Sequence, residues 1–514
     1  MSRLFLRKSV ADCENDISER GGLRRSLNKW HLTSLGVGAT IGAGIFATTG
    51  TAIVGDALRP GAGPAIVISF LLTAITCGFA ALCYAEFAAM VPISGSAYTY
   101  AYASLGELVA WIIGWDLIVE YAVGNIGVAI GWSGYFRELL SHFGLSLPPW
   151  LATDVRSAHL AAEAVAGGAT DATSQYLASA LTSAPVVFGF PFIANLPAFL
   201  IVACITCILV IGIRESASSN NAMVILKIAI ILFFVAVGLT LVRPINWNNP
   251  ELGGFAPNGF AGISAGAAII FFSYIGFDAT STAAEEAKDP ARDMPFGIIM
   301  SLVICTVMYI LAAAVMTGMA PWPKLGTAEP MVTALALADG SPGLIKVSRF
   351  IVSLGAVIAM SSVLLVFQLG QPRIFMSMSR DGLLPRFFSK VHPRFKTPYV
   401  GTIITGFFVA TFAAFANIAE VVDLTNIGTL FAFVLVSAGV IVLRKVEPDR
   451  VRPFRAPWVP YTPILAILSC LYLMFQLPLV TWIRFGIWLA LGLVVYFVYG
   501  VRNSRLAKER GLRS

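Results

Sequence analysis

Long apolar runs recur along this chain, most of them roughly 18 to 28 residues long and parted by short polar stretches. An uncharged run of that length is what an α-helix needs to cross the hydrocarbon core of a bilayer. The pattern predicts an all-α integral membrane protein with twelve such helices, near 32–56, 64–91, 105–136, 196–213, 222–242, 259–284, 295–319, 347–378, 400–416, 421–443, 461–477 and 483–501. Two of the runs do not read as continuous helix. The first carries Gly36, Gly38, Gly42, Gly44 and Gly50, and the stretch Gly38–Gly44 is expected to break. A glycine is about 1 kcal/mol poorer than alanine inside a helix, and an unpaired backbone group facing lipid costs several kcal/mol. Such a break must therefore line a protein cavity. The sixth run holds a second interruption, Phe271-Phe272-Ser273-Tyr274-Ile275-Gly276-Phe277-Asp278. Two five-helix units inserted with opposite orientation would bring these broken helices face to face near the bilayer midplane, with the last two helices outside the repeat.

Composition agrees: 57% of residues are hydrophobic and 12% charged, with a mean hydropathy of +0.80. Lys and Arg, 35 in all, fall roughly threefold more often on one side of the predicted helices, which puts both termini in the cytoplasm. The net charge of +7 is then a matter of topology and contact with anionic lipid, and implies no nucleic-acid partner. No apolar core followed by a small-residue cleavage site opens the chain, so no cleaved signal peptide is expected. The seven cysteines are scattered, with Cys204 and Cys207 three apart on one helix expected to be buried, and they suit small apolar packing better than redox or metal chemistry. His31, His142, His159 and His392 lie at membrane edges or in loops, which leaves no intramembrane pair for a metal or haem. No nucleotide-binding loop is present, which argues against a pump driven by ATP.

If the first helix runs outward, its outer half starts near 42–45 with free N–H groups and the positive end of a helix dipole, a receptor for a carboxylate. The sixth runs the other way, so its outer half ends near Phe272 and Ser273 with unpaired carbonyls that can accept from an ammonium. One small zwitterion, an α-amino acid, fits both ends. Tight helix packing at small residues is the alternative for either glycine cluster alone, and two clusters at matched positions weaken it. Three ionisable residues lie deep in the runs: Glu120, Lys227 and Asp278. Glu120 would face the substrate side chain, a proton path or a neighbouring helix. Asp278 would border the site or cap the half-helix that starts there. Lys227 would snorkel to the cytoplasmic interface or press against the first break, where an ammonium can donate to freed carbonyls and where its gain and loss of a proton would bias the inner gate.

The residues that carry a likeness are Gly42-Ala43-Gly44-Ile45-Phe46, Trp115-Asp116-Leu117-Ile118-Val119-Glu120-Tyr121, Phe272-Ser273-Tyr274-Ile275-Gly276-Phe277-Asp278, Ser281-Thr282-Ala283-Ala284-Glu285-Glu286, Gly370-Gln371-Pro372-Arg373 and Ser379-Arg380-Asp381-Gly382-Leu383-Leu384-Pro385. Together, from about Gly22 to Val501, they resemble the cationic amino acid transporter family of the amino acid, polyamine and organocation superfamily. The resemblance implies a fold like that of the leucine transporter, with inverted five-helix repeats and alternating access. It further implies that backbone at Ile41, Gly42, Ala43 and Gly44 holds the carboxylate and part of the amine, and that Phe272, Ser273 and Ile275 hold the rest of the amine. Glu120 and Asp278 match acidic positions near the side-chain subsite, and Lys227 matches a lysine that stands in for the sodium ion of sodium-coupled relatives. The chain departs from the family at Ala43, often threonine there, and in a longer loop after the third helix.

The resulting expectation is a proton-coupled importer of α-amino acids in a bacterial inner membrane, without covalent chemistry and without a cofactor or metal beyond the coupling proton. An exchanger of arginine, lysine or ornithine is the rival within transport; a gated channel and a nutrient sensor are rivals of other classes. Its expected organisation is a tail at 1–31, a ten-helix core at 32–443 with an outer loop at 141–195 that holds a short amphipathic helix, two further helices at 444–501 and a tail at 502–514. An accessory membrane subunit is left open.

Overall fold

Asn28 starts the first membrane helix: its side-chain oxygen accepts from the N–H groups of Trp30 and His31 at 3.0 and 3.1 Å, which satisfies donors that the first turn leaves free. The computed structural model describes residues 6–8, 26–90, 96–167, 172–187, 189–212 and 217–510. Among these, nine helices are long and apolar enough to cross a membrane: Lys29–Val54, Gly63–Met90, Glu107–Ser141, Asn220–Leu239, Gly259–Ser281, Pro290–Met319, Pro342–Arg380, Ile418–Val446 and Leu479–Glu509. Three shorter apolar helices, Leu196–Ile211, Tyr399–Phe415 and Tyr461–Phe475, stand where the pattern placed the fourth, ninth and eleventh runs. Counted in chain order, these twelve apolar helices are the first to the twelfth span, a term of position along the chain.

Two helices run past the apolar pattern where a cap or an ion pair carries a polar turn. The eighth starts at Pro342, where Ser341 Oγ accepts from Leu344 N and proline fills the first turn, and it continues to Arg380. The third extends to Ser141 rather than to Phe136, because Arg137 and Glu138 find partners in Glu329 and Arg349.

Four pairs of helices five apart pack together: the second span on the seventh, the third on the eighth, the fourth on the ninth, and the broken segments of the first and sixth on each other. The first span also lies along the seventh and fifth, and the tenth joins the second, third and eleventh. The outer surface of this bundle is apolar, with Leu71, Ile75, Leu232, Phe407 and Ile487 exposed, as a lipid-facing wall requires. Cys204 and Cys207 belong to that exposed wall; the expectation of a buried helix there is corrected, since only one face of the fourth span meets protein.

Residues 142–195 cap one end of the bundle with two helices, Val155–Ala166 and Ala172–Ser183, where the pattern predicts one. Asp154 caps the first by accepting from Ser157 N at 2.9 Å, and Ala158, Ala180 and Ile193 close a small core of their own. Val186–Val187 and Phe190–Pro191 pair antiparallel behind them. At the opposite, tail end, Lys8 reaches Asp381 at 3.2 Å, and Ser504 Oγ donates to Glu107, which also accepts from Tyr102 and Tyr496. The residues past 501 thus include a docked helix, Arg505–Glu509.

Candidate functional site

The first span is α-helical from Lys29 to Thr40, opens at Ile41 and Gly42, and resumes as a π-helix at Gly44–Thr48 before the α-helical turn Thr49–Val54. Ile41 N still bonds to Val37 O, but no helical turn bridges Ile41 and Gly42, so the N–H groups of Gly42, Ala43, Gly44 and Ile45 are left unclaimed by the helix. The sixth span runs as α-helix from Gly259 to Ile270, tightens to 3₁₀ over Phe271–Tyr274, turns at Ile275–Phe277 and continues as 3₁₀ from Asp278 to Glu286. Ile275 N donates to Phe272 O at 3.4 Å, whereas the carbonyls of Ser273 and Ile275 receive no backbone bond among the described residues.

The two breaks touch. A Cβ on Gly44 would lie 2.2 Å from Ser273 Cα, closer than any side chain tolerates, so only glycine permits this approach. Gly276, at φ +120°, sits with its Cα against the carbonyl of Ala39, a backbone conformation open to glycine alone. Free N–H groups from one helix and free carbonyls from the other therefore face a common point, buried from water. The Ser273 hydroxyl there has no partner among the described residues, which is the mark of a place that a ligand or water completes.

The amino acid permease profile matches residues 27–499. Branched-chain amino acid permease BcaP of Bacillus subtilis is 46% identical over 504 residues, covering 98% of this chain and 99% of its own length. The chain belongs to the amino acid permease family. Among other relatives of this permease, the methylthioribose transporter of Bacillus subtilis is 44% identical over 511 residues, with 99% and 100% covered. The vacuolar cationic amino acid transporter 4 of Arabidopsis thaliana is 36% identical over 456 residues, 88% of this chain and 68% of its own. The protein is a membrane transporter and not an enzyme.

Side chains from four spans bond to backbone carbonyls at or beside the permease's two breaks. Lys227, 1% exposed, donates from Nζ to Gly38 O at 2.5 Å and to Ile41 O at 3.0 Å, so it reaches into the first break and does not snorkel. Its charged neighbours among the described residues include no carboxylate partner, and Cys305 lies beside it. Tyr309 Oη donates to Thr40 O at 2.9 Å and Tyr135 Oη to Phe46 O at 2.6 Å. On the sixth span, Asn426 Nδ2 donates to Ala268 O at 2.7 Å and to Ile269 O at 3.2 Å. The polar residues Tyr135, Tyr309 and Asn426 inside apolar runs were the available signal for these roles, and sequence reasoning passed over them.

Glu120 lies beside Asp278 and Thr429, and it sits in a second π-helical turn, Val119–Val123. Asp278 is fully buried, and neither carboxyl oxygen has a hydrogen-bond partner among the described residues, although the N–H groups of Gly276, Asp278 and Ala279 surround it. The structure thus gathers Glu120 and Asp278 in one place and sets Lys227 on the first-span carbonyls. Ala43 packs toward the third span, with its Cβ 3.4 Å from where Gly131 would carry one. Asp116 is a further buried carboxyl whose two oxygens have no hydrogen-bond partner among the described residues, next to Gly428.

Proposed function

We propose that this permease imports neutral α-amino acids across the bacterial inner membrane by proton symport. The observation that carries the reading is the meeting of unclaimed N–H groups at Gly42–Ile45 with unclaimed carbonyls at Ser273 and Ile275, complementary to a carboxylate and an ammonium held a bond or two apart. Ile41, Gly42, Ala43 and Gly44 take the carboxylate and part of the amine, and Phe272, Ser273 and Ile275 take the rest. Glu120 and Asp278 border the side-chain subsite. The branched-chain relative at 46% identity favours an apolar side chain over the arginine, lysine or ornithine of the rival exchanger reading.

In this reading the twelve spans form two inverted five-helix repeats and two additional helices, and the pairing of helices five apart is what supports it. Both termini lie in the cytoplasm, so the 142–195 cap faces outward, and the repeats rock to give alternating access. Protonated Lys227 ties the first-span break shut from the fifth span; loss of its proton releases Gly38 and Ile41 and frees the inner half of the first span to move. Proton and substrate then cross together, with no metal or cofactor, and membrane lipid is the only other partner proposed.

Proteoliposomes with an imposed inward proton gradient test this. Labelled leucine is expected to accumulate, with competition ranked leucine and valine over arginine. Accumulation equal at all pH gradients, with counterflow intact, would make the protein an exchanger. Stronger competition by methylthioribose than by any amino acid would replace the zwitterion reading with that of the sugar-carrying relative.

A further inference from the structure

Between the eighth span and the ninth, at the tail end of the bundle, the chain turns through a loop in which Arg386, Phe387, Lys390, Val391, Arg394 and Lys396 are all exposed. Cations and large apolar side chains thus interleave on one short segment, with Phe387 41% and Val391 42% exposed. The one acid from Ser379 to Tyr399, Asp381, is already held by Lys8 and by the Tyr98 hydroxyl, at 3.2 and 2.7 Å. Among the described residues no carboxylate pairs with any of the four loop cations. The loop is nevertheless firmly built. His392 Nδ1 accepts from the N–H groups of Arg394 and Phe395 at 3.2 and 3.1 Å, and His392 N donates to Thr397 O at 2.8 Å. Thr397 Oγ1 donates to Val210 O of the fourth span at 2.9 Å, Phe388 packs on Phe375 of the eighth, and His392 meets Tyr399 of the ninth edge-on. Lys396 sits at φ +58°, the left-handed region that glycine or asparagine enters more cheaply, and its N–H bonds to His392 O at 3.0 Å. A lysine where glycine fits better points to its side chain as what the turn requires.

We propose that this loop is a headgroup site for an anionic phospholipid of the leaflet at the tail end. Like charges fixed on a rigid platform repel one another, and a bound phosphodiester removes that repulsion while accepting from several of them at once. Each Lys or Arg at a bilayer surface strengthens the attraction to anionic headgroups about fivefold. A soluble anion would use the cations alone. A lipid also uses Phe387 and Val391, whose exposed faces match the acyl chains beside the headgroup. Ile403 and Ile404, 48% and 42% exposed one turn along the ninth span from Tyr399, carry the apolar surface from the loop into the lipid-facing wall. General attraction of basic loops to anionic lipid needs neither the fixed turn nor the interleaved apolar pair, and both are present here. Because the loop is joined to the fourth, eighth and ninth spans, a lipid held there ties the ends of all three to the leaflet. The site depends on the membrane-spanning fold and not on which solute the permease carries.

The purified full chain, reconstituted in nanodiscs of mixed phosphatidylcholine and phosphatidylglycerol, tests this by native mass spectrometry of the lipids it retains. The wild type is expected to keep phosphatidylglycerol in preference to phosphatidylcholine. The variant Arg386→Gln/Lys390→Gln/Arg394→Gln/Lys396→Gln is expected to lose that preference, with headgroup affinity down about a hundredfold or more. Phe387→Ser/Val391→Ser keeps every charge and is expected to weaken retention about tenfold. Lys396→Gly suits the left-handed turn and removes one cation, so retention should fall about fivefold while the temperature of thermal unfolding without lipid stays level or rises. A wild type that retains the two lipids in the ratio of the bilayer overturns the site, as does unchanged preference in the fourfold variant. Retention indifferent to Phe387→Ser/Val391→Ser, or displacement of the lipid by an equal concentration of inorganic phosphate, overturns the choice of a lipid as the ligand. Should the fourfold variant fail to fold, Lys396→Gly keeps the proposal open to refutation: undiminished retention there overturns it.

Discussion

The two breaks are built from similar glycine-containing sequence, yet they are finished in opposite ways. In the first span the carbonyls are claimed, by Lys227, Tyr309 and Tyr135, and the N–H groups of Gly42–Ile45 remain. In the sixth, Asn426 claims two carbonyls at the end of the α-helical part, while Ser273 and Ile275 keep theirs. Which backbone groups a break leaves over is thus set by polar side chains from other spans and not by the broken segment. One break presents donors and the other acceptors, and the pair becomes polar in a fixed direction without a charged side chain at either contact.

The largest expected effect comes from removing the contact on which the comparison depends. Gly44→Leu would force its side chain into Ser273 and is expected to abolish high-affinity amino acid binding at the breaks; wild-type affinity there would show that the breaks do not form the site. Lys227→Ala comes next. It leaves Gly38 and Ile41 carbonyls unpaired and is expected to abolish accumulation driven by a pH gradient while exchange of labelled for unlabelled substrate persists; accumulation that still tracks the gradient would exclude Lys227 from coupling. Asn426→Ala tests the other break. It frees Ala268 and Ile269 and is expected to lower affinity about tenfold and stability by about 1–3 kcal/mol, read by binding and by thermal unfolding of the purified protein. Tyr309→Phe removes a single bond to Thr40 and is expected to cost about 1 kcal/mol of stability with transport retained; a full loss of transport would mean that this hydroxyl belongs to the coupling machinery. Ala43→Thr should have the smallest effect, a change in the ranking of competing amino acids without loss of uptake, and an unchanged ranking would place this side chain outside the subsite.

Several of these features were legible because their cause is local. The glycines from Gly36 to Gly44 weaken a helix wherever it lies, so the first break was readable, as was the Phe271–Asp278 interruption. The apolar pattern stops short of Ser341 and Arg137 because caps and ion pairs with distant residues extend helices beyond it. The sequence predicts one helix in the cap where there are two, since its small core joins Ala158, Ala180 and Ile193 across a distance that periodicity does not report. Lys227 admitted two readings from sequence, and its approach to Gly38 and Ile41 decided between them. The 3₁₀ continuation after Asp278 and the π-turn at Glu120 have no composition signal, because both are set by how neighbouring helices press on the segment.

By itself the sequence determined that the chain spans a membrane many times and where two helices must fail, because each of these follows from the free energy of single segments in lipid. Only the tertiary structure decided which carbonyls of those failures are silenced and that Glu120 meets Asp278 between them. These depend on contacts between residues hundreds of positions apart, and the energy of such a contact is absent from any one segment until the helices have packed.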